Sequence, residues 1–276
     1  DRIVIEDNVL LWAGQGLMTE ETNHGVLRNC VVVGTGAVAV IFGHGNASDW
    51  TIEGSTIGLG GWGALSLTAK DYRIHRNIFF HNPVSLGEAV TSDHNLYVTA
   101  GDTQPIALTS KPKWQKFLTP EEANAATGQE EHSLRADPRF RSAPSRQAMA
   151  LWHDENRLNR LFVRGNKTAI PTEGFAAGDR IEINGDGILR RVTAVDEKSM
   201  QFEPPLPQLP LRGALIWNWD SASTPAVDLR PAAGSPALAA GDRARPIGAT
   251  LDVPAFQRGD FNNDGVVNAL DASIQA

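Results

Sequence analysis

One cysteine, Cys30, stands in 276 residues, so no intrachain disulfide can form. That lack does not decide the compartment, because exported proteins also do without disulfides. Cys30 itself reads as a small buried hydrophobe. A basic surplus is also missing: 25 Lys and Arg against 32 Asp and Glu leave a net charge of −7. This argues against a nucleic-acid partner, whose phosphates need a basic face. Long apolar runs are absent too. The most apolar stretch, Val31 to Phe42, is broken by Gly34 and Gly36 and falls short of the roughly 18 residues of a membrane span. No signal peptide is visible, and the chain opens at Asp1 without methionine, as expected of a processed protein or a fragment.

What is present is a repeat. "RIVIEDNVLL" (2–11), "HGVLRNCVVV" (24–33), "DWTIEGSTIG" (49–58), "DYRIHRNIFF" (71–80) and "DHNLYV" (93–98) align on one another. Ile5, Leu27, Ile52 and Ile74 form one column, spaced 22, 25 and 22 residues apart. A second column, Asn8, Cys30, Ser55, Asn77 and Asn95, is small or amide-bearing throughout. Each unit alternates apolar and polar residues as a half-buried strand does. No helix-length amphipathic segment lies between units. This pattern predicts coils of a parallel β-helix, each strand bonded to its equivalents about 4.8 Å above and below. Asn77 over Asn95 is the expected side-chain step between turns. The column Glu6, Arg28, Glu53, His75, Asp93 alternates in sign and reads as a solvated ladder of cross-strand pairs rather than as a set of catalytic groups.

These coils resemble those of secreted bacterial right-handed parallel β-helix proteins, the pectate-lyase-like superfamily, which also contains alginate- and chondroitin-lyase-like enzymes. "SDHNLY" (92–97), "DPRF" (137–140), "GSPALAAG" (234–241) and "RPIGA" (245–249) resemble segments near the C-terminal end of such chains. Ala239 departs from the pattern, since the closing segment often carries an acidic residue there. The resemblance covers roughly residues 1–140 and 222–250, and it bears on architecture more than on activity, because the fold also serves adhesins and scaffolds. The fold class expected is all-β: a right-handed parallel β-helix with a small inserted β-barrel and a C-terminal EF-hand-like loop.

Four regions follow. Residues 1–144 hold the coils and a flanking helix. The helix is read from Thr119 before Pro120, Glu122 three positions after Thr119, and Gly128 as its stop; it is expected to cover a flank of the solenoid. Residues 145–221 change texture: "DRIEI", "ILRRVTAV", "MQFEPPL" and "GALIWNWD" read as strands of a small barrel. Trp217 and Trp219 are two apart and share a strand face; exposed, they would form a platform for sugar rings, and buried, they would close the barrel or pack it against the helix. Residues 222–250 form the closing segment of the β-helix, and 251–276 a linker and a calcium loop.

That loop is "DFNNDGVVNALD". With Asp260 at position 1, Asn262, Asp264, Val266, Asn268 and Asp271 fall at positions 3, 5, 7, 9 and 12, and Gly265 at the sharp turn. This is the spacing of an EF-hand loop, whose oxygens suit Ca2+. Asp at position 12 shortens the usual bidentate reach. The variant resembles the first half of a type I dockerin repeat, which implies a cohesin-type protein as a possible partner. Calcium at millimolar levels is an extracellular condition, so the expected location is secreted or at the cell surface.

Two functions from different classes compete. A uronate polysaccharide lyase needs a base, and a cation for the charge that develops. Lys70, Arg73, His75 and Arg76 cluster near one coil, with His44 and His81 on neighbouring coils and Glu53 and Glu88 as the suggestive acidic groups. None matches a catalytic signature residue by residue. The alternative is a non-catalytic scaffold or adhesin among cell-surface glycans.

Overall fold

The computed structural model describes residues 3–13, 16–44, 47–61, 63–67, 70–86, 90–98, 104–108, 115–154, 157–164, 172–208, 213–241 and 245–251. The coils are those of a β-solenoid with three parallel sheets. Sheet A stacks Ile3–Glu6, Asn23–Arg28, Ser48–Glu53, Tyr72–His75 and Val90–Asp93. Sheet B stacks Val9–Ala13, Val31–Thr35, Thr56–Gly60, Ile78–Phe80, Leu96–Val98 and Leu134–Arg135. Sheet C runs from Leu17–Glu20 to Ile106–Leu108, where Gln115–Phe117 adds in antiparallel sense and ends the stack.

Register follows the repeat columns. Leu27 pairs with Ile52 and Ile52 with Ile74; all three are buried in the solenoid interior. Val32, Ile57, Phe79 and Tyr97 make the facing ladder, with Phe79 stacked on Tyr97 at 5.5 Å. Residues between these rungs on sheet B, Val31, Val33, Ile78, Phe80 and Leu96, point outward yet are buried as well. Sheet B is therefore covered on both faces, which is why "VVV" replaces the alternation seen on sheet A.

The corners have a conformational signature. Between sheets A and B, Asp7, Asn29, Gly54, Arg76 and His94 all have φ between 50° and 59°. A second left-handed column, Trp12, Gly34, Leu59 and His81, marks the far end of sheet B. Only glycine and, less readily, Asn and Asp adopt this region without strain, so neighbouring contacts must hold Arg76, His81 and His94 there.

Next to the first corner runs a ladder of side-chain bonds. The Cys30 N–H donates to Ser55 Oγ (3.1 Å), Ser55 N–H to Asn77 Oδ1 (3.0 Å), Asn77 N–H to Asn95 Oδ1 (3.0 Å) and Asn95 N–H to Ser133 Oγ (2.8 Å). The Asn77 amide also donates to Ile52 O and Asn95 Oδ1. Each step satisfies a corner amide that the sheets leave unpaired.

The helix spans Pro120–Thr127, with Thr119 Oγ1 accepting from Glu122 N–H and Gly128 in the left-handed region at φ 72°. Glu122 reaches back to the Leu118 N–H at 2.8 Å. It closes the end of the stack rather than a flank: its buried Ala123 joins the interior core, with Phe117 packed alongside.

Beyond it, Arg146–Asp154, Arg157–Arg164, Ser199–Glu203, Arg190–Val195, Arg180–Ile183 and Leu215–Asn218 pair in that order and close into a ring with its own core. Asp228–Pro231 then pairs with Phe140–Ser142. The last described residues lie along the first corner: Gly248 N–H bonds Arg76 O (2.7 Å), Ala249 N–H bonds Thr56 Oγ1 (3.0 Å) and Thr250 N–H bonds Asn29 Oδ1 (2.8 Å).

Candidate functional site

The basic cluster sits on the outer face of sheet A and is occupied by carboxylates. Arg73 Nη1 lies 3.2 Å from Asp49 Oδ1, His75 Nε2 3.3 Å from Glu53 Oε2, and Arg76 Nη2 2.8 Å from the same oxygen. Strand register aligns Glu6 with Arg28, Arg28 with Glu53, Glu53 with His75, and His75 with Asp93. The guanidinium of Arg28 is 2.8 Å from Glu6 and 3.8 Å from Glu53. Hydrogen bonding to Arg28 holds the Glu6 carboxyl below its ordinary range, and a bond from His24 does the same for Asp49. The alternating column is thus an ion-pair ladder along the coils. Lys70 is exposed and bridges Ser48 through its backbone. Arg73 and His75 lie on the strand Tyr72–His75, Arg76 is the corner residue after it, and Lys70 precedes it; none of the four borders either of the two hollows beside the closing strand.

Trp217 and Trp219 offer no sugar platform, which corrects that expectation. Their relative exposures are 0% and 3%. They do share a face, but it is turned to the solenoid. Trp217 stacks on Trp12 with centroids 3.6 Å apart, and its Nε1–H donates to Gln147 Oε1 (2.8 Å). Gln147 in turn donates to Thr35 O (3.0 Å), tying the antiparallel ring to sheet B. The Trp219 Nε1–H donates to Glu182 Oε2 (3.0 Å). Burial raises the Glu182 carboxyl above its ordinary range, against a bond from the Gly187 N–H. Amphipathic rings of this size fill such a seam because their N–H groups find partners.

Two hollows open beside the closing strand. The larger, about 480 Å³, is bordered by Asp137, Arg139, Gly234 and Ala239; Ala239 brings no carboxylate to it. The smaller, about 320 Å³, is bordered by Phe80, His81, Asp137, Arg139 and Ser145. His81 is partly exposed as a residue, yet its Nδ1 is sealed from water with no hydrogen-bond partner among the described residues. Desolvation, helped by Arg146, pushes its imidazole down to about 4, so it is neutral in ordinary buffers. Arg139 is held at 3.2 Å to Gly234 O and through its N–H at 2.7 Å to Asp137 Oδ1.

The repeat alignment missed the top of the charge ladder. Asp93 takes both His94 and His132, and His132 comes from a coil the alignment did not reach. Glu130 was missed too: it is buried, accepts from Tyr97 Oη–H (2.8 Å) and also bonds Ser133 Oγ. Burial raises its carboxyl. The side chain of His44, all of Glu88, and the calcium loop with Asp260, Asn262, Asp264, Val266, Asn268 and Asp271 lie outside the described residues. No protein-family profile matches this sequence, and no curated protein matches it significantly.

Proposed function

We propose that this chain is a non-catalytic, exported scaffold module that sits among polysaccharides. The observation that carries the reading is the pairing of Arg73, His75 and Arg76 with Asp49 and Glu53 along sheet A and its corner. Cations neutralised this way add modest stability to a ladder and leave no free base beside a substrate cleft. A stack whose corners are bonded rung by rung is stiff, which suits a spacer at a surface. The loop from Asp260 to Asp271 would hold Ca2+ through oxygen ligands. It is also the candidate point of attachment to a cohesin-type partner, and its need for millimolar calcium fits secretion or the cell surface.

A uronate lyase is the second reading, favoured by one observation: a neutral imidazole, His81, at the wall of a hollow it shares with Asp137 and Arg139. The deciding experiment incubates the folded protein with a panel of uronate polysaccharides, with and without Ca2+, and follows the ultraviolet absorbance of unsaturated products. The scaffold reading expects a flat trace on every substrate together with retention on at least one insoluble polysaccharide. Absorbance growth would overturn it. Loss of that growth in His81→Asn but not in Arg73→Ala would then place the base at the hollow.

A further inference from the structure

We propose that Asp93, His94 and His132 form a binding site for a divalent transition-metal ion, Zn2+ in particular, that clasps two successive coils. Asp93 ends a sheet A strand, His94 is the corner residue after it, and His132 lies on the next coil. Asp93 Oδ2 is 2.8 Å from His132 Nδ1 and 3.2 Å from His94 Nδ1, and all three ligand atoms lie within 4.8 Å of one another. Zn2+ held at its usual 2.0–2.1 Å would set ligand atoms roughly 3.3 Å apart in a tetrahedron. The metal-free arrangement is close to that spacing already. The imidazoles are stacked with centroids 4.7 Å apart and planes 20° off parallel, so both Nδ1 atoms turn to the same carboxylate.

The groups are held from behind. Asp93 Oδ1 accepts the backbone N–H of His94 (2.8 Å) and of His132 (2.7 Å), which leaves Oδ2 for the imidazoles. The His132 segment is fixed over Asp93 by Glu130 N–H to Ser92 O (2.8 Å) and Leu134 N–H to Asn95 O (2.8 Å). Buried Glu130 anchors it further through Tyr97 and Ser133. Such outer bonds orient metal ligands and reduce what must be ordered on binding. Two neutral imidazoles and one carboxylate suit Zn2+, Cu2+ or Ni2+, whereas Ca2+ and Mg2+ prefer an all-oxygen shell. His132 is 55% exposed, so the fourth position is open to water. Ligation through Nδ1 requires each neutral ring to carry its one proton on Nε2, so a ring that donates Nδ1–H to Oδ2 in the metal-free state would shift that proton to Nε2 when the metal binds.

The test titrates the full chain with Co2+ and follows its visible absorption, then displaces it with Zn2+. One equivalent is expected to bind in the micromolar range, to bleach on adding Zn2+, and to raise the melting midpoint. His132→Ala and His94→Asn, the latter chosen because Asn tolerates the left-handed corner, should each weaken binding at least tenfold. Asp264→Ala, in the separate all-oxygen loop, should leave the cobalt spectrum unchanged. No Co2+ uptake below millimolar concentration would overturn the site. So would loss of the spectrum in Asp264→Ala alone, or equal affinity in both histidine variants and the parent.

Discussion

At the scale of single residues, the coil corners hold most of what is specific to this chain. Asn77 accepts from the Ser55 N–H and donates to Ile52 O and Asn95 Oδ1, all in the buried interior. Removing the amide leaves a buried donor and acceptor without partners, each costing about 1–3 kcal/mol. Asn77→Ala should therefore lower stability by about 2–4 kcal/mol, read as a drop in the urea midpoint at unchanged slope. Asn77→Ser should recover part of it, because Ser55 performs the same step one coil below, accepting from Cys30 N–H at 3.1 Å. His81 supplies a pH dependence. Its imidazole titrates near 4 in the fold and near 6.5 in the unfolded chain. Between those values the unfolded state binds the extra proton, so stability is full above pH 6.5 and falls as pH drops toward 4. The loss is at most about 3 kcal/mol. His81→Asn cannot titrate and should flatten this part of the curve of urea midpoint against pH. An unchanged slope in the variant would assign the acid sensitivity to other groups.

At the scale of elements, the seam between sheet B and the antiparallel ring turns on one close approach. Gly34 lies on the strand Val31–Thr35 with φ 74°, and a Cβ there would sit 2.2 Å from Trp217 Cζ2. Gly187 has nearly the same backbone, φ 68°, with nothing within 4 Å of its added Cβ. Gly187→Ala should cost about 1–2 kcal/mol, the strain of the left-handed conformation alone. Gly34→Ala adds overpacking against the Trp217–Trp12 stack, for about 2–5 kcal/mol in total, measured as the difference in urea midpoint between the two variants. Equal effects would mean that Trp217 yields easily and that the seam is loosely packed. The same elements show what could be read from the sequence. The strand columns and the charge ladder were legible because period-2 alternation and a near-constant 22-residue step survive in residue types. Ser133 and His132 were not, because the excursion through the helix stretches that step: Asn95 and Ser133 are 38 residues apart yet bonded. The tryptophan pair was ambiguous for another reason. A two-residue spacing assigns both rings to one face but cannot say whether that face meets water or sheet B.

At the scale of the whole molecule, the two proposed cation sites are separated along the chain, and the separation can be measured. The proposed site of Asp93, His94 and His132 clasps two successive coils at a partly exposed corner of the solenoid, while the loop from Asp260 to Asp271 follows the closing segment in sequence. That closing segment is bonded along the first corner through Gly248, Ala249 and Thr250, contacts made entirely by side chains and backbone of the body. Stability of the body should therefore not depend on Ca2+. A ligand raises a melting midpoint only when it binds the folded form of the unit that melts. Calcium should accordingly bind the full chain, weaken strongly in Asp260→Ala and Asp264→Ala, and leave the melting of the coils where it was with or without a calcium chelator. Removing residues 252–276 should abolish calcium uptake with the same null effect on melting. Zinc should show the reverse pattern, raising the midpoint in the full and the shortened chain alike and losing that effect in His132→Ala. If chelating calcium lowers the midpoint of the full chain but not of the shortened one, the loop is docked on the body and acts as its clamp. A mere attachment point, by contrast, lets the loop be filled or emptied while the β-helix behind it stays equally stable.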